Sequence, residues 1–346
     1  MKIHIPLLWR RASVLAVVIC AAGSAAGMTP ASSVTLAPMT VLDSTSYHLD
    51  TLRSRIDMPA PCFTDKIGNK EMPEQRDSFW LSYEGGYNSF GGDAALNASY
   101  SRTWQGLLMG MERQLCCYSL VGVAFGYEES ISRTLGARME ADTYFIDLYS
   151  AMRTGCWNHR MSLGVGLYDF SSSRGFGGLG SANGGADSRA ITVGYELSRD
   201  FRLDTTTVAT PFMSLNYAFS HMESLHERIG LRDITTSYDD RNLLQMGFGG
   251  RLSHDFSIMS GWENATLSAS LAGVLEFAEH RASGKQSFGT ESFPVRSMKR
   301  MPLFAQLGVN LEMPMEQQWT LTAGVFARCG NDRGGVAGNV GFGYRF

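Results

Sequence analysis

Two histidines and two aspartates are, by residue type, the side chains best suited to acid–base catalysis. His221 and His226 open a polar stretch of the sequence, and Asp239 and Asp240 close it. Enzymes often pair an imidazole with a carboxylate to move a proton, and these four side chains could meet if the stretch is a loop. Polar residues are expected in any exposed loop, however, so we expect no catalysis here and no enzyme.

The cysteine and glycine patterns indicate no metal or cofactor site. Beyond the N-terminal segment the cysteines are Cys62, Cys116, Cys117, Cys156 and Cys329. The adjacent pair has no histidine at ligand spacing and does not resemble a zinc site. The glycine-rich residues 175–185 contain no lysine and precede no helix, so a mobile loop is a better interpretation than a phosphate-binding loop.

The composition favours an all-β protein. Of the 346 residues, 44% are hydrophobic and only 18% are charged, with 38 glycines and 10 prolines. The mean hydropathy is −0.10. Past the N-terminus, no apolar run approaches the roughly 18 residues that a spanning helix needs, which excludes a helical membrane protein. The net charge of −3 and the lack of a basic block argue against a nucleic-acid partner.

The N-terminus has the pattern of an export signal. Lys2, Arg10 and Arg11 precede an apolar run over residues 12–22, and a tail of small residues follows it. We predict a signal peptide over residues 1–26. Cleavage after Ala26 is the first choice and cleavage after Gly27 the second.

From Phe79 to Phe346 the sequence alternates apolar residues with small or polar ones, in twelve segments of about ten residues. A period of two predicts strands with one apolar face each. The apolar sets begin at Phe79, Leu107, Val121, Tyr144, Met161, Ile191, Met213, Leu244, Leu267, Leu303, Trp319 and Val336.

The opposite faces and the connections separate a membrane barrel from a β-sandwich. The opposite faces carry glycines and mid-strand charges, where a sandwich would carry ordinary surface residues. Connections counted as long span residues 88–101, 171–187 and 279–297, whereas short ones span residues 115–118, 154–158 and 313–317. Long and short connections in alternation with an even strand number predict an all-β fold, a 12-stranded antiparallel transmembrane β-barrel.

The end of the chain and the order of its elements resemble a known family. The last strand ends with Phe342, Tyr344 and Phe346, which look like the C-terminal insertion signal of outer-membrane barrels. A signal peptide, a short segment, an amphipathic stretch and a barrel that begins near Phe79 follow in the order found in type V secretion autotransporters. The chain from about residue 42 to residue 346 resembles their translocator domain.

The resemblance implies a location and partners. It implies a monomeric barrel in the cell outer membrane, in contact with its lipids and assembled by the barrel assembly machinery after delivery by periplasmic chaperones. Residues 27–41 would be a short vestigial passenger, residues 42–78 a pore helix and linker, and residues 79–346 the barrel. The function implied is export or display of the N-terminal segment. The alternative is a barrel without a passenger that acts as a pore or as a loop-based adhesin.

Residues 42–58 are predicted to form a helix, because their apolar residues recur at helical spacing before Pro59. The family places such a helix inside the pore, with arginines facing acids of the barrel wall. Here the resemblance makes Arg53 and Arg55 the candidate arginines. The candidate acids are Glu84, Glu112, Asp147, Glu196, Glu276 and Glu312. A helix packed elsewhere, or a disordered segment, is the alternative.

The predicted topology favours a disulfide bond at one rim of the barrel. In the predicted topology Cys116 and Cys117 lie in the first short turn and Cys156 in the second, and these turns are neighbours. The periplasm is oxidising, which favours a bond between one of the pair and Cys156. Cys329 should lie at the opposite end of the barrel.

Overall fold

The structure of the protein, a computed structural model, describes residues 36–55, 77–91, 99–116, 118–134, 136–175, 181–257, 265–278, 283–288, 291–296, 302–316, 318–331 and 333–346. The helix α1 covers Leu36–Arg55. The strands are β1 Asp77–Phe90, β2 Tyr100–Cys116, β3 Ser119–Thr134, β4 Ala137–Thr154, β5 Trp157–Gly175, β6 Ser181–Arg199, β7 Phe201–Arg202, β8 Thr207–Met222, β9 Leu225–Ile229, β10 Arg232–Tyr238, β11 Arg241–Phe256, β12 Ala265–Ala278, β13 Ser283–Phe288, β14 Glu291–Arg296, β15 Leu303–Glu316, β16 Trp319–Gly330 and β17 Arg333–Arg345.

Twelve of the described strands close into a barrel. Neighbouring strands are antiparallel around the ring, in the order β1, β2, β3, β4, β5, β6, β8, β11, β12, β15, β16 and β17. β1 then pairs with β17, with Leu81 opposite Phe342, and this pairing closes the ring. A closed ring satisfies the backbone N–H and C=O groups without water, as a lipid bilayer requires. The predicted 12-stranded antiparallel barrel is confirmed.

The alternation of side chains sets the two faces of the wall. Along β4, Tyr144, Ile146 and Leu148 are exposed on the outer face, whereas Phe145 and Asp147 between them are buried. The other strands present their predicted apolar sets outward in the same way. Exposed apolar side chains over a whole barrel surface are stable only against lipid, because in water they would drive aggregation.

Glycines on the inner face make room for large aromatic side chains. A Cβ atom at Gly122 would lie 2.3 Å from the ring of Tyr149, and one at Gly110 would lie 2.4 Å from the ring of Trp80. The two aromatic side chains are joined by a hydrogen bond of 2.8 Å from Trp80 Nε1 to Tyr149 Oη. The wall is therefore packed on its inner side and is not a smooth polar channel.

Several strands continue well beyond the membrane at the end of the barrel with the long connections. β5 and β6 have 19 residues each, whereas about 9–11 residues cross a bilayer. They pair up to Gly175 opposite Ser181, so the loop predicted over residues 175–185 is largely a hairpin. β3 and β4 likewise pair up to Thr134 opposite Ala137. Outside the lipid a strand needs no apolar face, and its alternation signal disappears.

Short strands extend the wall at the same end of the barrel. β9 pairs with β6 and β10, β10 pairs with β13, and β13 pairs with β14. These pieces continue the barrel wall outward over one part of the ring, above β6, β8, β11 and β12.

The helix begins earlier than predicted. α1 starts at Leu36, six residues before the predicted start at Leu42, so part of the segment taken as a passenger is helical. Pro38 fits because the first turn of a helix needs no backbone N–H donor there. Arg55 is the last helical residue, and the predicted end at residues 56–58 lies outside the described residues. In the described part of the chain, no helix is long and apolar enough to cross a membrane.

A charge on the outer face should destabilise the barrel, whereas a charge on the inner face should not. We expect Leu307→Arg, at a side chain 51% exposed on the outer face of β15, to lower the free energy of unfolding by about 2–4 kcal/mol. The control is Gln306→Arg, because Gln306 faces the lumen and bonds to Asp50 at 3.1 Å. Unfolding by urea in phospholipid vesicles measures the free energy of unfolding of both variants. Equal losses of stability in the two variants would contradict the assignment of the outer and inner faces.

Candidate functional site

α1 lies inside the barrel and is the main feature of its lumen. Its side chains from Leu36 to Leu49 are buried, and so are Thr51 and Leu52. Their hydrogen-bond partners are distributed around the ring of strands. These partners include Asn88, Ser132, Asp147, Tyr168, Asn216, Gln245, Gln306 and Arg328. A helix bonded to strands on all sides occupies the lumen and does not pack on the outside.

The first turns of α1 are held by apolar contacts. Leu36, Met39 and Val41 belong to a buried cluster with aromatic and aliphatic residues of the wall. Phe90 and Tyr100 in this cluster flank the first long connection and stack with ring centroids 4.6 Å apart. The N-terminus of α1 therefore lies at the end of the barrel with the long connections, and the helix runs toward the short turns.

A buried arginine joins the next turn of α1 to the wall. Arg102 of β2 is fully buried, and its guanidinium bonds to Glu128 of β3 and lies 3.4 Å from Asp43 of α1. Asn88 donates to Asp43 at 2.5 Å, and Ser44 donates to Glu128 at 2.8 Å. Because one cation neutralises carboxylates from both the helix and the wall, its bonds fix the depth of α1 in the lumen.

A histidine anchors the middle of α1. His48 Nε2 lies 2.7 Å from Asp147 Oδ2 of β4, and both side chains are buried. The imidazole stacks on Phe145 with ring centroids 3.8 Å apart and an interplanar angle of 5°. The stacking on Phe145 and the pairing with Asp147 together fix the orientation of this turn about the helix axis.

The last turns of α1 carry an acid and an arginine that bond to opposite sides of the ring. Asp50 bonds to Arg328 of β16, whose guanidinium lies 3.7 Å from the ring centroid of Tyr47. Arg53 lies 3.7 Å from Glu196 of β6 and donates to Asn216 of β8. The predicted contact between Arg53 and one of the candidate acids is thus present in the geometry.

The other candidate acids have different partners. Asp147 bonds to His48, Glu276 accepts from Arg333 at 3.0 Å and from Gln245 at 3.1 Å, and Glu112 accepts from Tyr149 at 2.9 Å. Glu84 is buried on the inner face of β1, and Glu312 borders the open part of the lumen. The side chain of Arg55 lies outside the described part of the structure.

An open cavity of about 450 Å³ remains beside the C-terminal turn of α1. Its lining includes Arg53, Arg160, Glu196 and Arg251, and it extends toward the short turns. Arg160 lies 2.5 Å and Arg251 lies 3.7 Å from Glu196, so three arginines surround one acid. Among the residues that the structure describes, the lumen is therefore filled at the end with the long connections and open at the other.

Sequence reasoning missed most of the helix anchors. Asp43, Tyr47 and Asp50 recur at helical spacing and could have marked a polar helix face. Arg102 and Arg328 lie on inner faces and were not considered as partners, because only acids were sought on the wall.

The cysteines do not form the predicted bond between Cys116 and Cys156, since both carry free, exposed thiols. Cys116 Sγ instead lies 3.1 Å from Ser119 Oγ. The two short turns are neighbours as expected, because Arg153 N donates to Tyr118 O at 2.7 Å. Cys117 lies outside the described residues, so its pairing with Cys156 stays a prediction. Cys62 lies outside them as well.

The four candidate catalytic residues do not converge. His221 Nδ1 lies 2.6 Å from Asp240 Oδ1 on the exposed surface, whereas His226 contacts Thr235 and Asp239 accepts from Ser283. Among the residues that the structure describes, no group of His, Cys, Asp and Glu side chains could hold a metal ion.

The predicted terminal residues lie at the end with the short turns. Phe342 and Phe346 are exposed on the outer face, and Tyr344 Oη donates to Gln318 at 2.8 Å. Phe346 N donates to Asp77 O at 3.0 Å, which ties the last residue to the start of β1. The signal-cleavage residues Ala26 and Gly27 lie outside the described residues.

Comparison with known proteins identifies relatives of this barrel. A family model described as the autotransporter beta-domain matches residues 79–325. No curated protein matches the chain.

Solved structures share the fold at low identity. The translocator domain of the autotransporter NalP from Neisseria meningitidis superposes with a TM-score of 0.70 at 15% identity, over 90% of this chain and 99% of that one. The beta domain of the Bordetella autotransporter BrkA superposes with a TM-score of 0.62 at 16% sequence identity, over 78% of this chain and 99% of that one. The transport unit of the autotransporter AIDA-I from Escherichia coli superposes with a TM-score of 0.55 at 10% sequence identity, over 87% of this chain and 98% of that one.

Proposed function

Because the chain belongs to the autotransporter β-domain family, we propose that this outer-membrane translocator barrel exports or displays the segment that precedes α1, with α1 held in the lumen as a plug. The observation that carries the proposal is the set of polar contacts from α1 to strands on all sides of the ring. These contacts fix the helix in one register and block the passage beside it.

The direction of α1 supports export of what precedes it. Its N-terminus lies near Phe90 and Tyr100 at the end with the long connections. Asp77, the first residue of β1, lies at the other end and bonds to Arg113 beside the first short turn. With the short turns in the periplasm, the N-terminal residue Leu36 of α1 faces the cell surface, whereas Arg55 and Asp77 both lie toward the periplasmic side.

The proposal includes a route of assembly. A signal peptide over residues 1–26 would direct the chain to the periplasm, where chaperones hold it before the barrel assembly machinery inserts it. Phe342 and Tyr344 of β17 and the following residue Phe346 are the residues that we propose the assembly machinery recognises. β17 pairs with β1 and β16, so it completes the ring.

The alternative, a pore or an adhesin without a passenger, is not favoured. The family match and the translocator folds support a translocator. Buried clusters pack α1 against the wall on both of its sides, which argues against an open pore. In the described part of the chain, the open space in the lumen lies at the short-turn end.

Surface labelling tests the proposed orientation. We expect an epitope tag inserted after residue 30 to bind antibody on intact cells, because residues before Leu36 would emerge at the cell surface. The control is the same tag inserted between Gly155 and Cys156, in a short turn, which should bind antibody only after the outer membrane is permeabilised.

The two tags also define the labelling result that would contradict the proposed orientation. If the turn tag bound antibody on intact cells and the tag after residue 30 did not, the barrel would have the opposite orientation and the export proposal would be wrong.

A further inference from the structure

Two aromatic rings flank an arginine at the short-turn rim, on the outer face of the barrel. Trp157 begins β5 and lies directly opposite Arg199 at the end of β6. The Arg199 Cζ atom lies 5.7 Å from the Trp157 ring centroid and 5.0 Å from the Phe201 ring centroid. Both rings are nearly half exposed. Such cation–π contacts hold the guanidinium in place and leave its N–H donors available.

The neighbouring acid Asp200 is occupied by other donors. Its Oδ2 accepts from Arg153 and from Asn158, both at 2.9 Å, and its Oδ1 accepts from Thr210 at 2.9 Å. Three bonds to side chains other than that of Arg199 turn this carboxylate away from the aromatic pair.

Asp204, in the turn that follows, is occupied as well. It accepts the backbone N–H groups of Thr206 and Thr207, each at 2.7 Å. The bond from the Thr206 N–H is the largest of the interactions that lower the pKa of Asp204 to about 2. Within the described parts of the chain, Arg199 thus contacts rings but pairs with no carboxylate.

The rows of outward side chains place Arg199 at the edge of the apolar band. Moving from Arg199 toward the middle of β6, the next outward residues are Leu197, Tyr195 and Val193, about 7 Å apart along the strand. Tyr195 Oη shares a hydrogen bond of 2.9 Å with His159 Nδ1. The outer face therefore changes from cationic and aromatic to mixed and then to apolar, as it does where headgroups meet hydrocarbon.

We propose that Arg199, held between Trp157 and Phe201, binds the phosphate of an anionic phospholipid in the leaflet at the short-turn end. A guanidinium matches a phosphate diester with two parallel N–H donors, and charge complementarity favours an anionic headgroup. The exposed rings lie at the depth of the glycerol backbone and the first acyl carbons. The bound lipid would be an annular ligand of β5 and β6, separate from the lumen and from export.

Native mass spectrometry of the purified barrel in detergent tests this site. The probes are phosphatidylglycerol, phosphatidylcholine with the same acyl chains, and inorganic phosphate. We expect phosphatidylglycerol to bind more tightly than phosphatidylcholine and to bind Arg199→Gln about tenfold more weakly, as the loss of charge-assisted hydrogen bonds predicts. Arg199→Lys should retain part of the affinity, because it keeps the charge but loses the planar pair of donors.

Arg113→Gln is the matched control. Arg113 also lies on the outer face at this rim, but its guanidinium already bonds to Asp77 at 3.0 and 2.7 Å. Lipid affinity should therefore be unchanged in this variant. Equal phosphatidylglycerol affinity in Arg199→Gln and the native chain would overturn the proposal, and so would displacement of the lipid by inorganic phosphate. Heat-dependent gel mobility checks that each variant is folded.

Discussion

Arg102→Met is expected to lower the free energy of unfolding of the barrel by about 3–5 kcal/mol, since removing one partner leaves buried charges uncompensated. Asp43 and Glu128 would remain as buried carboxylates without the guanidinium that neutralises them. Because Asp43 belongs to α1, the helix should also become less tightly held. Urea unfolding in phospholipid vesicles, followed by tryptophan fluorescence, measures the loss.

Arg113→Met is the control for this prediction. Arg113 pairs with Asp77 at 2.7 Å, but its side chain is 61% exposed, and exposed pairs contribute about 0–1 kcal/mol. The triple variant Arg102→Met, Asp43→Asn and Glu128→Gln removes the uncompensated charges and should regain part of the stability. A loss below 1 kcal/mol for Arg102→Met, or no gain in the triple variant, would show that this cluster does not hold the helix.

Deleting residues 36–55 is expected to open the pore. The native barrel should show small, flickering conductance in planar bilayers, because α1 fills the lumen at the end with the long connections. The deletion variant should show a steady conductance many-fold larger, since the space left by a 20-residue helix would fill with water. Single-channel recording measures both proteins under the same salt and voltage.

Point variants of α1 provide the controls for the conductance experiment. Asp50→Asn weakens the bond to Arg328 and should make openings more frequent. Ser54→Ala should change nothing, because Ser54 is exposed and, among the described residues, its hydroxyl donates within the helix, to Thr51 O at 2.7 Å. If the deletion variant conducted no better than the native barrel, α1 would not be the plug.

The sequence was sufficient to predict the wall because lipid imposes a strict rule on it. Tyr144, Ile146 and Leu148 had to face outward, since a spanning strand has one apolar face and lipid accepts only apolar side chains. The same rule located the twelve barrel strands. It said little about strands beyond the lipid, and for that reason the hairpin around Gly175 and Ser181 was taken for a loop.

The lumen was harder to predict because contacts there depend on three-dimensional register. Arg53 and Glu196 could be named as candidates from their charges, but the match of Asp43 to Arg102 depends on how far α1 enters the barrel. That depth is set together by the contacts of Arg102 and by packing of Leu36, Met39 and Val41 in a buried cluster with aromatic residues of the wall. No spacing along the chain encodes this arrangement, whereas the helix itself was visible from its periodicity.

Disulfide trapping of α1 against the wall tests the central claim, that the helix occupies the lumen in one register. Thr40 Oγ1 of α1 lies 2.8 Å from Ser132 Oγ of β3. In a chain whose native cysteines are replaced by serine, Thr40→Cys with Ser132→Cys should therefore form a disulfide in the outer membrane. Thr40→Cys with Arg133→Cys should form none, because Arg133 faces outward. Peptide mapping without reduction measures both. A linked peptide in the first variant alone is predicted, and no link in the first variant or an equal link in both would contradict the claim.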